Sequence, residues 1–139
     1  MSRSLSVRCA AALALVVVVA GCGSSSGTGP GGRTACNPPL SIGPTTFSPA
    51  TGTINVTYTA SVTGDGQIST LTYQGASGPV VVNGPTLPFS VSTTVPLPSQ
   101  AQMTASGSYN TNGTASIAYN ANLGGGNIQQ GNQSCGTSN

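Results

Sequence analysis

TINVTYTASVT, residues 53–63, alternates without a break. Ile54, Val56, Tyr58, Ala60 and Val62 share one parity, and Asn55, Thr57, Thr59, Ser61 and Thr63 share the other. Successive side chains of an extended chain point to opposite faces, so the spacing predicts a strand with one buried and one solvated face. Asp65-Gly66 follows, a pair favoured in two-residue hairpin turns because both central positions take positive φ. The expectation is a return strand over about Gln67–Gln74, with Leu71 and Tyr73 on its inner face. Ile68 breaks that parity, which predicts a bulge or an edge there.

Working outward, Gly75–Gly78 reads as a loop, Pro79–Asn83 as a short apolar strand and Asn83-Gly84-Pro85 as a turn. From Leu87 to Leu97 the odd positions Leu87, Phe89, Val91, Val95 and Leu97 face inward. Pro88 and Pro96 lie near the two ends, where an edge or strand terminus tolerates a missing N–H. Gln100–Tyr109 and Thr114–Leu123 are predicted to pair across Asn112-Gly113. Their inward sets are Ala101, Met103, Ala105 and Tyr109, and Ala115, Ile117, Tyr119 and Leu123. A last short strand is expected near Asn127–Cys135. No helical period occurs beyond the amino-terminal segment. About seven short strands with regular turn signals predict an all-β fold, an immunoglobulin-like antiparallel β-sandwich, with a small barrel as the alternative. The inward set is rich in Ala and Val, so the core is thin.

Composition narrows the chemistry. The 139 residues hold Arg3, Arg8, Arg33 and Asp65 as their only charged side chains, with no His, Lys, Glu or Trp. A nucleic-acid interface needs clustered Lys or Arg, which this chain lacks. General acid–base catalysis draws on His, paired carboxylates or Lys, and the abundant Ser and Thr have no base to activate them. Asp65 reads as a turn former. Neither a zinc set nor a calcium set of carboxylates can be assembled. The Gly-rich runs at 29–32 and 124–126 lack the strand–helix context and lysine of a phosphate loop. The expectation is a non-enzyme without cofactor or metal. Tyr58, Tyr109, Tyr119 and Phe89 fall on inward parity and read as core, while Tyr73 is open to either assignment.

The first 21 residues have the form of an export signal: Arg3 and Arg8, then the apolar run Ala10–Ala20. As a helix that run rises only about 16 Å, about half the hydrocarbon core of a bilayer. Val19-Ala20-Gly21-Cys22 resembles the bacterial lipobox. The resemblance implies cleavage before Cys22, a diacylglyceryl thioether on its sulfur and acylation of the new amino group. Two or three acyl chains hold a protein to a membrane far better than one. By resemblance to proteobacterial sorting, Gly23 rather than Asp after the cysteine would not favour inner-membrane retention, and the outer membrane or cell surface of a bacterial envelope is the expected location. Residues 22–35 then comprise the lipidated cysteine and a Gly/Ser-rich linker, and residues 36–139 the sandwich.

Of four cysteines, Cys9 leaves with the leader and Cys22 is used for lipid. Cys36 and Cys135 remain, flanking the folded region. In an exported protein they are expected to form a disulfide, with a zinc pair or a reactive thiol as the competing readings.

VTYTASVTGDG (56–66), LTYQGASG (71–78) and TLPFSVSTTV (86–95) are together similar to the periplasmic domain of the MmpS family. The similarity extends over about residues 54–135 and is carried by Tyr58, Tyr73 and Leu87-Pro88-Phe89. Members of that family are membrane-anchored accessories of MmpL exporters of lipids and siderophores, and their soluble domain is a β-sandwich. Here a lipobox replaces the transmembrane helix, Phe89 stands where tryptophan is common, and the family's charged residues are missing. Two functions follow as expectations. One is a protein-binding or transport-accessory module whose partner is an envelope protein or exporter, reached by strand addition at edges that lack a blocking lysine. The alternative is a structural or surface-coat lipoprotein without a specific ligand.

Overall fold

The computed structural model describes residues 28–29, 32–47 and 51–137. Cys22, the signal-like run and most of the Gly/Ser-rich stretch lie outside the described residues. Ten strand segments follow in order: β1 Thr28–Gly29, β2 Arg33–Ala35, β3 Leu40–Thr45, β4 Gly52–Gly64, β5 Gln67–Gly75, β6 Gly78–Asn83, β7 Phe89–Leu97, β8 Ala101–Tyr109, β9 Gly113–Gly124 and β10 Asn127–Gly136. The seven strands predicted from alternation are β4 to β10. The additional three are β1 and β2, which carry the sheet back into the stretch read as linker, and β3. Pro39 and Gly43-Pro44 punctuate β3 and hide its pattern, yet Leu40 and Ile42 alternate inward and are buried.

The strands form two antiparallel sheets packed face to face, a β-sandwich. The first runs β1-β2-β8-β5-β6, with β3 also paired to β8; the second runs β10-β9-β4-β7. β4 pairs with β7 and β5 with β8, the arrangement of strands B with E and C with F in immunoglobulin domains. The outer strands exchange places relative to that fold. β3, which precedes β4, lies beside β8, and β9, which follows β8, lies beside β4.

Two predicted hairpins are absent. β4 and β5 lie in different sheets, and so do β8 and β9, so residues 65–66 and 110–112 are arches across the sandwich. Positive φ falls on Gly64 (55°) and on neither Asp65 nor Gly66. A Cβ on Gly64 would strike the carbonyl oxygen of Asn112, because the two arches stack directly on each other. An arch turns the apolar faces of consecutive strands toward each other across one core. A hairpin would set them side by side on a single face.

The parity readings hold. Ile54, Val56, Tyr58 and Ala60 are buried from β4, as are Ala101, Met103 and Ala105 from β8 and Ala115, Ile117, Tyr119 and Ala121 from β9. The anticipated irregularity in β5 is a register shift between Ile68 and Thr70, which lets both Ile68 and Leu71 face the core. Tyr109 departs from expectation: it is half-buried at the end of β8 and outside the core cluster.

Candidate functional site

The sandwich has one closed side and one open side. On the closed side, Cys36 and Cys135 are disulfide-bonded with a Cα–Cα distance of 5.8 Å, joining the segment between β2 and β3 to β10. That separation is ordinary for a bridge. The backbone N–H of Cys36 donates to the Gly107 carbonyl at 2.9 Å. Only glycine fits at 107, since a Cβ there would lie 2.7 Å from Cys36 Sγ and 3.1 Å from Ala115 Cβ. The Ser41 N–H donates to Gln133 Oε1, a second tie between β3 and β10.

Opposite this staple, β6 ends the first sheet and β7 ends the second, and among the described residues each is paired on one side only. Between them lies a cleft of about 340 Å³, lined among others by Tyr73, Pro79, Val80, Val91 and Thr93. Val80 stands directly across from Tyr73 and therefore points inward, yet it is 38% exposed because nothing among the described residues covers it. Val81, on the outer face, is 59% exposed. An aromatic chain leads into the core from this cleft. Phe89 and Tyr73 have ring centroids 6.1 Å apart, Tyr73 and Tyr58 5.2 Å, and Tyr58 and Tyr119 6.5 Å. Tyr73 is thus half-buried between core and cleft. The Tyr119 hydroxyl donates to Thr45 Oγ1 at 2.8 Å, which anchors the far end of the chain.

The site's electrostatics are simple, because Arg33 and Asp65 are the only charged side chains among the described residues. Neither borders the cleft. Asp65 does more than form a turn. Its Oδ1 accepts from the Asn110 N–H at 2.9 Å, and its Oδ2 accepts from the Thr111 and Asn112 N–H groups at 3.1 and 3.4 Å. The carboxylate clasps the second arch to the first. The Asn110 N–H is the main cause holding its pKa below the usual carboxylate range; the other two N–H groups and the Arg33 charge add to this, and partial desolvation opposes it. Since the folded value is the lower one, this stabilisation is complete above the unfolded value of about 3.9 and is lost as pH falls through the folded value. Without histidine, thermal stability is expected to stay level from about pH 5 to pH 9 and to fall below about pH 4. In Asp65→Asn the acid limb should flatten and the melting temperature at neutral pH should drop. An unchanged acid limb would remove the clasp from the account.

The outer face of the second sheet is uncharged. Hydroxyls and amides stand in rows across its strands: the Thr57 and Ser92 hydroxyls are 2.8 Å apart, and Thr94 Oγ1 donates to Asn55 Oδ1 at 3.1 Å.

Of the residues singled out from sequence, Cys36 and Cys135 are brought together and Cys22 lies outside the described residues. The cleft residues Val80 and Val91 were read only as strand interior. The signal available for them was the apolar run 80–82 beside proline-flanked 87–97, but which strands become edges is a property of the assembled sheets. No known family matches the chain, and neither does any curated protein or solved structure. Fold and site together define a two-sheet β-sandwich stapled along one side and open along the other. Its disulfide is the chemistry of an oxidising, extracytoplasmic compartment.

Proposed function

We propose that this chain is an exported lipoprotein of a bacterial cell envelope, held to the outer membrane or cell surface by acyl chains on Cys22. Its sandwich serves as a non-catalytic protein-binding module, a role in keeping with the transport-accessory function that the MmpS resemblance implies. The observation that carries this reading is the open β6–β7 side. There, two strand edges without partners among the described residues flank the cleft of mixed polarity that Tyr73, Val80, Val91 and Thr93 line, and neither edge bears the lysine that normally blocks strand addition. An extended segment of a partner gains main-chain hydrogen bonds along such an edge, while its inward side chains fill the cleft. The lack of any acid–base pair supports a binding role over a catalytic one. The uncharged outer face of the second sheet favours, as a second reading, a coat lipoprotein without a specific ligand.

Two measurements test the proposal. Intact-mass analysis of protein from envelopes should find an acylated amino-terminal Cys22; a mature chain starting at Met1 or Arg33 overturns the anchor. A photo-crosslinking residue placed at Val81 or Val91 should give discrete adducts in intact envelopes, and one at Ser41 on the stapled side should not. Equal labelling at all three positions, or none, overturns the open edge as the binding side.

A further inference from the structure

Residues 87–97 read LPFSVSTTVPL. Reflection through Ser92 exchanges Leu87 with Leu97, Pro88 with Pro96, Phe89 with Val95, Ser90 with Thr94 and Val91 with Thr93. Every exchange keeps the class of side chain: identical residues at the ends, large apolar groups next, hydroxyls on the outer face and β-branched residues within. β7 pairs with β4 from Gly52↔Leu97 to Ala60↔Phe89, and its other edge has no partner among the described residues.

We propose that this edge pairs with the same edge of a second copy, antiparallel about a twofold axis at Ser92. The inference rests on the reading of the β6–β7 side as strand-accepting, and it names the strand. A twofold interface must be self-complementary, residue i meeting j and j meeting i, and the reflected sequence meets that requirement. Parity is preserved, so Phe89 lies beside Val95 and Val91 beside Thr93 on the inner face. Ser90 lies beside Thr94 and Ser92 beside its own counterpart on the outer face. The outer hydroxyls extend rows already present, since Ser92 meets Thr57 and Thr94 meets Asn55 across the β4–β7 pair. Cross-strand hydroxyl pairs of this kind are favourable.

The prolines fix the register. A slip of one residue sets inner side chains against outer ones. A slip of two places Pro88 or Pro96 opposite Thr94 or Ser90, inside the partner's ladder, where the missing N–H forfeits a bond. No charge opposes the pairing, because β4 and β7 carry no Lys, Arg, Asp or Glu and two copies bring no like charges together. The axis also turns the two clefts toward each other, so that Val80, Tyr73 and Val91 of each copy gain cover. The product is a continuous sheet that doubles the four-stranded one.

The test uses the full chain in its membrane, with single cysteines introduced on the outer face of β7 and the unsubstituted chain as control. Paired residues in adjacent antiparallel strands have Cα atoms about 4.5–5.5 Å apart, within disulfide reach. Ser92→Cys should therefore give a disulfide-linked dimer under mild oxidation. Ser90→Cys alone should not, because its counterpart lies about 13 Å away along the partner strand. Co-expressed Ser90→Cys and Thr94→Cys chains should cross-link to each other. Ser92→Lys, which opposes two ammonium groups at the axis, should sediment as a folded monomer where the parent sediments as a dimer. Self-linking of Ser90→Cys as strong as that of Ser92→Cys, or a Ser92→Lys chain that still dimerises, overturns the register. A Ser92→Cys adduct to a different protein overturns self-pairing and leaves the strand-accepting edge standing. A monomeric parent with no adduct in any variant overturns both.

Discussion

Loss of the Cys36–Cys135 bridge, by the paired substitutions Cys36→Ala and Cys135→Ala, is expected to cost the domain about 2–5 kcal/mol. The two cysteines are 99 residues apart, and closing a loop of about 100 residues restricts the unfolded chain by about 4.7 kcal/mol on the chain-entropy model. The figure is large against a total of about 5–15 kcal/mol for a folded domain. It weighs more here because much of the buried set is alanine: Ala60, Ala101, Ala105, Ala115 and Ala121. The bridge also ties the segment before β3 to β10 across the sandwich, so its loss should loosen that side first. Urea unfolding of parent and double variant measures the effect. Hydrogen exchange should show β3 and β10 losing protection before β4 and β9. Equal urea midpoints would mean that the sheets hold together without the staple.

The second large effect concerns Tyr58, which is 0% exposed at the centre of β4. Its ring touches those of Tyr73 and Tyr119, linking the two sheets. Tyr58→Ala should cost about 3–5 kcal/mol, the range for removing a large aromatic from a core. Tyr58→Phe should behave in the opposite way. The hydroxyl makes no hydrogen bond of good geometry among the described residues, the Gln102 backbone approaching it only loosely, and a poorly satisfied buried hydroxyl costs up to about 1–3 kcal/mol. Phenylalanine should therefore match or exceed the parent in urea midpoint. Burial pushes the Tyr58 pKa up to about 12; the neighbouring Gln102 backbone opposes this, and Tyr119 and Tyr73 add to it. A folded value above the unfolded one places the associated stability below about pH 10, and it declines as pH rises toward the folded value. The Phe variant should lack that share of the alkaline loss. A Phe variant less stable than the parent would show that the hydroxyl is satisfied after all.

The pairing of Cys36 with Cys135 was legible in the sequence because these two cysteines flank the folded region. The inward set of β4 was legible too, and so was the irregularity at Ile68, because alternation records which side of its own strand a residue occupies. The hairpin at Asp65-Gly66 was misread for a physical reason. Asp-Gly suits any tight reversal, and nothing local distinguishes a reversal within a sheet from one that crosses to the other. Asp65 accepts hydrogen bonds from residues 45 to 47 positions further along, a partnership that no local window contains. β3 carries no legible pattern, because Pro39 just before it and Gly43-Pro44 within it outweigh its two buried residues, Leu40 and Ile42.

Alone, the sequence determined strands β4 to β10, their inner and outer faces, the nearly uncharged surface and the cysteine pairing. These depend on side-chain chemistry and a period of two along the chain. Only the tertiary structure decided the partner of each strand, and so which side is stapled and which is left open with the cleft. That choice depends on burying all the apolar faces at once. It is an energy of the whole assembly, and turn propensity at any single position contributes too little to decide it.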